Sequence, residues 1–346
     1  MARRSLWASL ALAPATILLD VLAHPGKVGL FVLAAAALVP LAWLIGEATE
    51  HAAEHTGAGV GGFLNASFGN APELIIALIA VAGGLPQVVR GSLAGSVISN
   101  LLLVFGVTQL IGPEKEINRR SLFAQLGLVA AAVVLLVGPV VLGYTGSNPE
   151  RHTAVLVSIP IAIVLLGLYL AITGRNLREH RKLPRSEPAA GAWSMSSSLA
   201  ALAAATVLTA FVSEILVHSL NAFAKAVGAT DFFIAAIIVA IVGNAAEHGG
   251  AIVIARAGKM KLASEIAISS SAQVALLVAP AVMLLSLLFT HQLPLSFRWE
   301  ELAAIAVAVV LAAATIADGR TKRWEGGVLI GAYAVVVAAF WLAGNR

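Results

Sequence analysis

Two short motifs place a carboxylate and an amide within apolar stretches of the chain. GNAPE sets Asn70 three residues before Glu73, and GNAAE sets Asn244 three residues before Glu247. Residues three apart share one face of a helix, so each motif would present an amide oxygen and a carboxylate about one turn apart. Four such side chains could converge on one hard divalent cation, which prefers oxygen ligands and is balanced by two negative charges.

The two glutamates could also carry protons. Burial and mutual repulsion favour the protonated forms of two adjacent carboxylates when no cation lies between them. Glu73 and Glu247 would then hold either a divalent cation or protons. Mutually exclusive occupancy of one site predicts coupled exchange of the two.

Additional oxygens could complete such a site. Pro72 lacks an N–H and clashes with the carbonyl four residues back, which predicts a carbonyl released from the helix at Phe68. Two runs of small and hydroxyl residues, GSLAGSVISN and ASEIAISSSAQ, follow the two motifs, and each ends on an amide side chain. The further candidate ligands from these runs are Ser99, Asn100, Ser271 and Gln273.

Three other ionisable residues could conduct protons or support the ligands. Glu50 lies in the apolar stretch before the first motif, and Glu214 lies in the stretch before the second. His248 follows Glu247 directly, but it lies about 100° around the helix from it. We therefore expect His248 to be a neighbour on a proton path rather than a ligand.

The composition excludes a soluble domain. Hydrophobic residues make up 59% of the 346 positions, charged residues make up 12%, and the mean hydropathy is +0.92. We therefore expect an integral membrane protein that crosses the bilayer many times. Because the chain has no cysteine, thiolate ligands for soft metals are excluded, and no cofactor is expected.

Eleven apolar windows are long enough to cross about 30 Å of hydrocarbon. They cover residues 5–23, 28–50, 60–83, 86–111, 121–143, 152–173, 198–224, 231–255, 262–290, 299–317 and 324–343. With the N-terminus in the cytoplasm and the C-terminus outside, most basic residues fall on the cytoplasmic side, as the positive-inside rule requires. The expected location is a prokaryotic plasma (inner) membrane. The first window also has the form of a cleavable signal peptide, which would leave ten spans.

The order of the windows predicts an all-α membrane protein with an N-terminal helix and two inverted repeats of five helices. The predicted divisions are an N-terminal helix at 1–24, a first repeat at 25–174, a linker at 175–197 and a second repeat at 198–346. The helices that carry the two motifs would run in opposite directions, as in many secondary transporters. The basic linker is expected to be a solvated cytoplasmic connector with no nucleic-acid partner. The sequence does not determine the oligomeric state, and a homo-oligomer is compatible with it.

At the motif residues the chain resembles the cation/proton exchanger family, the Ca²⁺/H⁺ antiporters of the wider cation/Ca²⁺ exchanger superfamily. GEATEHAAEHTGAGVGGFLNASFGNAPELIIAL resembles the first family signature and VGNAAEHGGAIVIA the second, and the likeness extends over residues 28–343. The resemblance implies eleven spans, a first helix outside a five-plus-five inverted repeat, and a cation site built on Glu73 and Glu247. It also implies that Ca²⁺, or another divalent cation, and protons are the transported substrates in a lipid bilayer.

A few positions depart from the family pattern. The segment between the halves is basic, whereas family members commonly carry an acidic one. Asn221 stands where a second acidic residue often follows the SE pair of the seventh window. Gly249 and Gly250 stand where alanines are usual, so the helix after Glu247 is expected to bend more easily.

Other functions fit parts of the pattern. HAAEH, from His51 to His55, has the form H-x-x-E-H of a zinc peptidase, although it lies inside the antiporter signature.

A channel could use the carboxylates of Glu73 and Glu247, but an inverted repeat around one site favours alternating access. Na⁺/Ca²⁺ exchange is the alternative within the superfamily. In an inert arrangement the two glutamates would only hydrogen-bond helices together, yet ionisable groups within membrane spans are usually functional.

Overall fold

The computed structural model describes residues 2–23, 26–56, 64, 67–144, 152–180 and 193–344. The regular structure in these ranges is helical, and its only extended pairing is an isolated bridge between Glu116 and Arg320. The all-helical class predicted from the sequence is therefore confirmed. Residues 181–192 of the predicted linker lie outside the described residues.

The helices are numbered here in chain order, with three π-helical turns named separately. The first part of the chain contains α1 (Ala2–Ser9), α2 (Leu12–Leu22), α3 (Lys27–Thr56), α4 (Ala71–Ala82), α5 (Pro86–Ile98), π1 (Ser99–Val104), α6 (Phe105–Ile111), α7 (Arg119–Tyr144) and α8 (His152–His180). The second part contains α9 (Met195–Ala226), α10 (Asp231–Ile234), π2 (Ala235–Val239), α11 (Ala240–Gly243), α12 (Ala245–Arg256), α13 (Met260–Gln273), π3 (Val274–Val278), α14 (Ala279–Ser286), α15 (Trp299–Thr315) and α16 (Arg323–Ala343).

Eight helical segments in the described ranges are long and apolar enough to cross a membrane. A ninth span results if the helix pair Asp231–Gly243 and Ala245–Arg256, bent by 59° at its break, crosses as one. The chain is therefore an integral membrane protein. The two remaining windows contain shorter helices. Helix α4 has 12 residues and α15 has 17. Parts of the window at 60–83 lie outside the described residues, and the count of eleven spans stays a prediction.

The chain forms two compact units, and each unit draws on both predicted repeats. Unit 1 comprises Met1–Ile79, Gly167–Gly228 and Val242–Ala246, and unit 2 comprises Ala80–Leu166, Ala229–Ile241 and Glu247–Arg346. The units therefore do not coincide with the divisions predicted from the sequence. An inverted repeat is a symmetry of the chain, and it does not require each half to be a separate body. The predicted repeat boundaries stay a prediction.

In unit 1, the long helices α3 and α9 lie side by side and antiparallel. Near one end the rings of Phe31 and Phe223 stack with their centroids 4.3 Å apart. Toward the other end, a buried cluster joins the two helices through Leu44, Ile45, Ala48, Leu202 and Ala205. Small residues on the buried face of α3, among them Ala34 and Ala37, allow close packing of the kind that membrane helices use.

In unit 2, the segment Pro86–Ile111, formed by α5, π1 and α6, is the most enclosed of the candidate spans, with 78% of its apolar window buried. Helix α5 forms its first half. Its Gly95 lies directly against the backbone of Ala236 in π2, and a methyl group there would overlap the Ala236 carbonyl oxygen. Gly106 of α6 and Gly326 of α16 meet in the same way. Backbone contacts at glycines thus pack the helices that carry the hydroxyl-rich run after the first motif against π2 and α16.

Candidate cation site

The first motif lies at a helix start rather than within a continuous helix. Gly69 and Asn70 form a turn, α4 begins at Ala71, and the Asn70 carbonyl accepts the first helical hydrogen bond from Leu74 N at 3.1 Å. Pro72 therefore occupies the first turn, where proline is well tolerated because its missing N–H would have no helical partner. Ser67 and Phe68 are helical, the turn at Gly69 and Asn70 interrupts the helix, and Pro72 lies after this break. The expectation of Pro72 inside a continuous helix is thus corrected, whereas the release of the Phe68 carbonyl stays a prediction.

The second motif repeats this geometry. Helix α11 ends at Gly243, Asn244 lies in the break, and α12 begins at Ala245. In both motifs the asparagine immediately precedes a helix and the glutamate is its third residue. The two carboxylates therefore have equivalent positions in the first turns of α4 and α12.

Unit 1 brings parts of the two motifs together. Asn70, Glu73 and Asn244 are buried, with exposed fractions of 1%, 6% and 1%. A methyl group on Gly243 would lie 3.3 Å from Glu73 Cγ and 3.6 Å from Glu73 Cδ. The residue before the second asparagine therefore packs against the first glutamate, and the missing side chain at Gly243 makes room for that carboxylate.

The remaining motif residues belong to unit 2. Glu247 is half-buried, and its carboxylate accepts a hydrogen bond from Ser270 of α13. The neighbouring His248 is buried, and its Nε2 lies 3.0 Å from Asn100 Oδ1. An amide oxygen can only accept, so His248 Nε2 carries the hydrogen and donates it. Asn100 could then serve a cation only through its second lone pair or after this bond breaks.

The other candidate oxygens lie next to π-helical turns. Ser99 begins π1, and its hydroxyl donates to the Ser96 carbonyl at 3.2 Å. Gln273 directly precedes π3, and the nearby Ser271 hydroxyl donates to the Val97 carbonyl at 3.3 Å. π-Helical turns occur frequently at functional sites, and these two lie at matched positions after the two motifs. No pattern in the sequence indicated them.

The two outer carboxylates of the prediction are exposed and lie toward opposite ends of the α3–α9 pair. Glu50 is near the C-terminal end of α3. Glu214 lines a cavity of about 410 Å³ in unit 1 together with Asp20, Lys27 and His218. The His218 ring nitrogen Nδ1 donates to the Glu214 carbonyl at 2.8 Å. The structure does not bring Glu50 and Glu214 together.

The two histidines of HAAEH both contact Trp193, and the described part of the chain contains no group of three or more histidine, aspartate or glutamate side chains that could hold a metal ion. His55 Nε2 donates to the Trp193 carbonyl at 2.7 Å, and the His51 ring stacks on the Trp193 ring at 4.8 Å. The Glu47 carboxylate lies 3.7 Å from His51 Nε2. These contacts fix Trp193, which follows the undescribed part of the linker, on the end of α3.

A membrane protein whose broken helices carry a repeated asparagine–glutamate pair has the architecture of a secondary transporter. The family model described as sodium/calcium exchanger protein matches residues 26–177 and 197–342, and the chain belongs to this family. It is 38% identical over 341 residues to the Ca²⁺/H⁺ antiporter ChaA of Bacillus subtilis, covering 95% of this chain and 96% of that protein.

Two further relatives are similar over most of their length. The Ca²⁺/H⁺ antiporter of Synechocystis sp. is 36% identical over 343 residues, which cover 91% of each chain. The solved structure of native YfkE superposes with a TM-score of 0.82 at 36% identity, covering 96% of this chain and 99% of that chain.

Proposed function

We propose that this chain is a secondary antiporter that exchanges a divalent cation, with Ca²⁺ the favoured one, for protons by alternating access. The observation that carries the proposal is the matched geometry of the two motifs. Each places a buried asparagine before a helix and a glutamate in its first turn, and Gly243 of one motif packs on Glu73 of the other. The names of the relatives from Bacillus subtilis and Synechocystis support the same pair of substrates.

In the proposed site the carboxylates of Glu73 and Glu247 bind the cation. Asn70 and Asn244 would contribute neutral oxygens, and the breaks before α4 and α12 would contribute backbone carbonyls that a continuous helix would not release. Phe68, Ser99, Asn100, Ser271 and Gln273 remain proposed sources of additional oxygens. When the cation leaves, two protons neutralise the same two carboxylates, so the site is never left with two unbalanced charges.

Protons would reach the glutamates through His248 and its hydrogen bond to Asn100. Glu50 and Glu214 are proposed to act farther out, because both are exposed to surroundings from which they can exchange protons. The 410 Å³ cavity beside Glu214 supports a role at one entrance.

The proposed topology has eleven spans, with one N-terminal helix and two inverted five-helix repeats divided as the sequence predicts. The N-terminus would be cytoplasmic and the C-terminus outside, in a prokaryotic plasma membrane, because this orientation places most basic residues inside. Two further helices, α4 and α15, would complete the count of spans.

The direct test is uptake of ⁴⁵Ca²⁺ into proteoliposomes that contain the purified chain. An outwardly directed proton gradient should drive uptake, and an outwardly directed Na⁺ gradient without a pH difference should not. Uptake driven only by Na⁺ would instead establish Na⁺/Ca²⁺ exchange, the alternative within the family.

Glu73→Gln and Glu247→Gln should each abolish this uptake while the protein stays folded. Either substitution leaves a divalent cation half neutralised in a buried site, which costs about 3 kcal/mol or more and slows exchange at least about 100-fold. Glu300→Gln, which changes an exposed carboxylate, is the matched control and should transport normally. Near-normal exchange by either variant of the pair would refute a two-carboxylate site.

A further inference from the structure

Three interhelical loops of unit 2 meet at one end of its helices. The first joins α6 to α7, the second joins α12 to α13, and the third joins α15 to α16. Lys115 of the first loop connects all three. Its Nζ donates to the Gly258 carbonyl of the second loop at 3.1 Å, and its own carbonyl accepts from Thr321 N of the third at 2.9 Å.

Glycines make these turns tight enough to meet. Gly258 has φ +77° and Gly319 has φ +76°, a region that other residues rarely adopt. Ile117 N donates to the Gly319 carbonyl at 2.9 Å, and the bridge between Glu116 and Arg320 continues the pairing of the first and third loops. The loops therefore form one continuous surface.

This surface carries an excess of exposed positive charge. We call it the basic surface and define it by its exposed basic residues, which are Lys115, Arg119, Arg120, Arg256, Lys259, Lys261, Arg320 and Arg323. The positive-inside rule accounts for basic residues in each loop separately, but it does not predict that the loops join.

The acidic residues of the loops do not neutralise the basic surface. Asp318 and Glu325 both pair with Lys322, which is not part of it, and the hydrogen bond from Lys322 lowers the pKa of Asp318. Glu114 accepts a hydrogen bond from the backbone N–H of Arg323 at 3.2 Å. Glu116 of the first loop is exposed. Within the described ranges, no carboxylate forms an ion pair with a side chain of the basic surface.

The position of the basic surface indicates what it faces. Each of its loops adjoins at least one candidate membrane span, so the loops lie where the hydrocarbon ends and lipid headgroups begin. Trp324, 65% exposed, and Leu262, 49% exposed, flank it with apolar area of the kind found at membrane interfaces. A cluster of lysine and arginine beside membrane helices attracts anionic headgroups electrostatically.

We propose that the basic surface binds the phosphate groups of anionic phospholipids and thereby holds the three loops of unit 2 together. The proposal concerns the lipid partner of unit 2 and is independent of which ions are transported.

The test measures thermal unfolding of the purified full-length chain in neutral detergent with added dioleoyl phosphatidylglycerol. This lipid should raise the midpoint, whereas dioleoyl phosphatidylcholine and inorganic phosphate should not. Lys259→Gln/Lys261→Gln should weaken the apparent affinity for phosphatidylglycerol about tenfold. The control Lys27→Gln/Lys225→Gln removes two exposed charges from unit 1 and should leave this affinity unchanged.

The wild-type chain provides a second measurement should the variant fail to fold. At about 1 M NaCl the Debye length is about 3 Å, so the stabilisation by phosphatidylglycerol should largely disappear. Equal stabilisation by phosphatidylcholine, by inorganic phosphate alone, or by phosphatidylglycerol regardless of salt would overturn the proposal. An unchanged affinity in a folded Lys259→Gln/Lys261→Gln variant would overturn it as well.

Discussion

At the scale of residues, Asn70 and Asn244 have equivalent positions. Each is 1% exposed, and each immediately precedes the helix whose first turn carries a glutamate. Their amide oxygens are neutral, so they can coordinate the cation without adding negative charge to the site. Two protons then suffice to replace a divalent cation. In the proposed site the glutamates supply the negative charge, and we infer that the asparagines supply neutral ligands that shape the site.

This difference predicts different effects on kinetics. Asn70→Ala and Asn244→Ala should each weaken cation affinity about tenfold, the cost of one lost oxygen ligand of about 1.4 kcal/mol, while the maximal exchange rate changes less. The half-saturating Ca²⁺ concentration and the maximal rate in proteoliposomes separate the two effects. A fall in maximal rate at unchanged half-saturation would mean that these amides do not bind the cation.

At the scale of elements, the helix breaks are the feature that positions the site. The repeated carboxylates could be predicted from the sequence because GNAPE and GNAAE are local patterns. Pro72 indicated a disturbed helix at the first motif. The second break was missed, although Gly243–Asn244 is a turn-forming pair, because the apolar residues around it favour one long span. The π-helical turns could not be predicted, because they depend on packing against neighbouring helices rather than on a local pattern.

The packing of Gly243 on Glu73 leads to a prediction for the second break. Gly243→Ala would place a methyl group 3.3 Å from Glu73 Cγ, so the carboxylate must shift, and cation affinity should fall about tenfold. Gly249→Ala is the matched control, because nothing lies within 4 Å of the added methyl group. It should transport normally and be up to about 1 kcal/mol more stable. Equal cation affinities in the two variants would show that Glu73 does not need this space.

The backbone contact at Gly95 concerns stability. Gly95→Ala would push a methyl group into the Ala236 carbonyl oxygen, and separating α5 from π2 should cost about 2 kcal/mol or more. The thermal unfolding midpoint, followed by tryptophan fluorescence, should fall by about 3 °C or more. Gly127→Ala in α7, with nothing within 4 Å of the new methyl group, should not lower it. Equal midpoints for the two variants would argue against a rigid contact there.

At the scale of the whole molecule, the membrane class and the helical fold could be predicted from composition and the lengths of apolar windows. The division into two units could not be predicted, because it depends on contacts between distant segments. Residues 242–246 illustrate this, since they belong to unit 1 while the residues on both sides of them belong to unit 2. Sequence windows indicate where helices lie, but they do not indicate which helices pack together.

The central claim is that protons and the divalent cation compete for Glu73 and Glu247. Calorimetry of Ca²⁺ binding to the detergent-solubilised chain tests it most directly, using buffers of different ionisation enthalpy over a range of pH. Competition predicts that binding releases protons and that the apparent affinity falls as the pH is lowered, because protonated carboxylates must give up their protons to the cation. Tight binding with no proton release and the same affinity at every pH would contradict the claim. Protons would then have to cross by a route separate from the two glutamates.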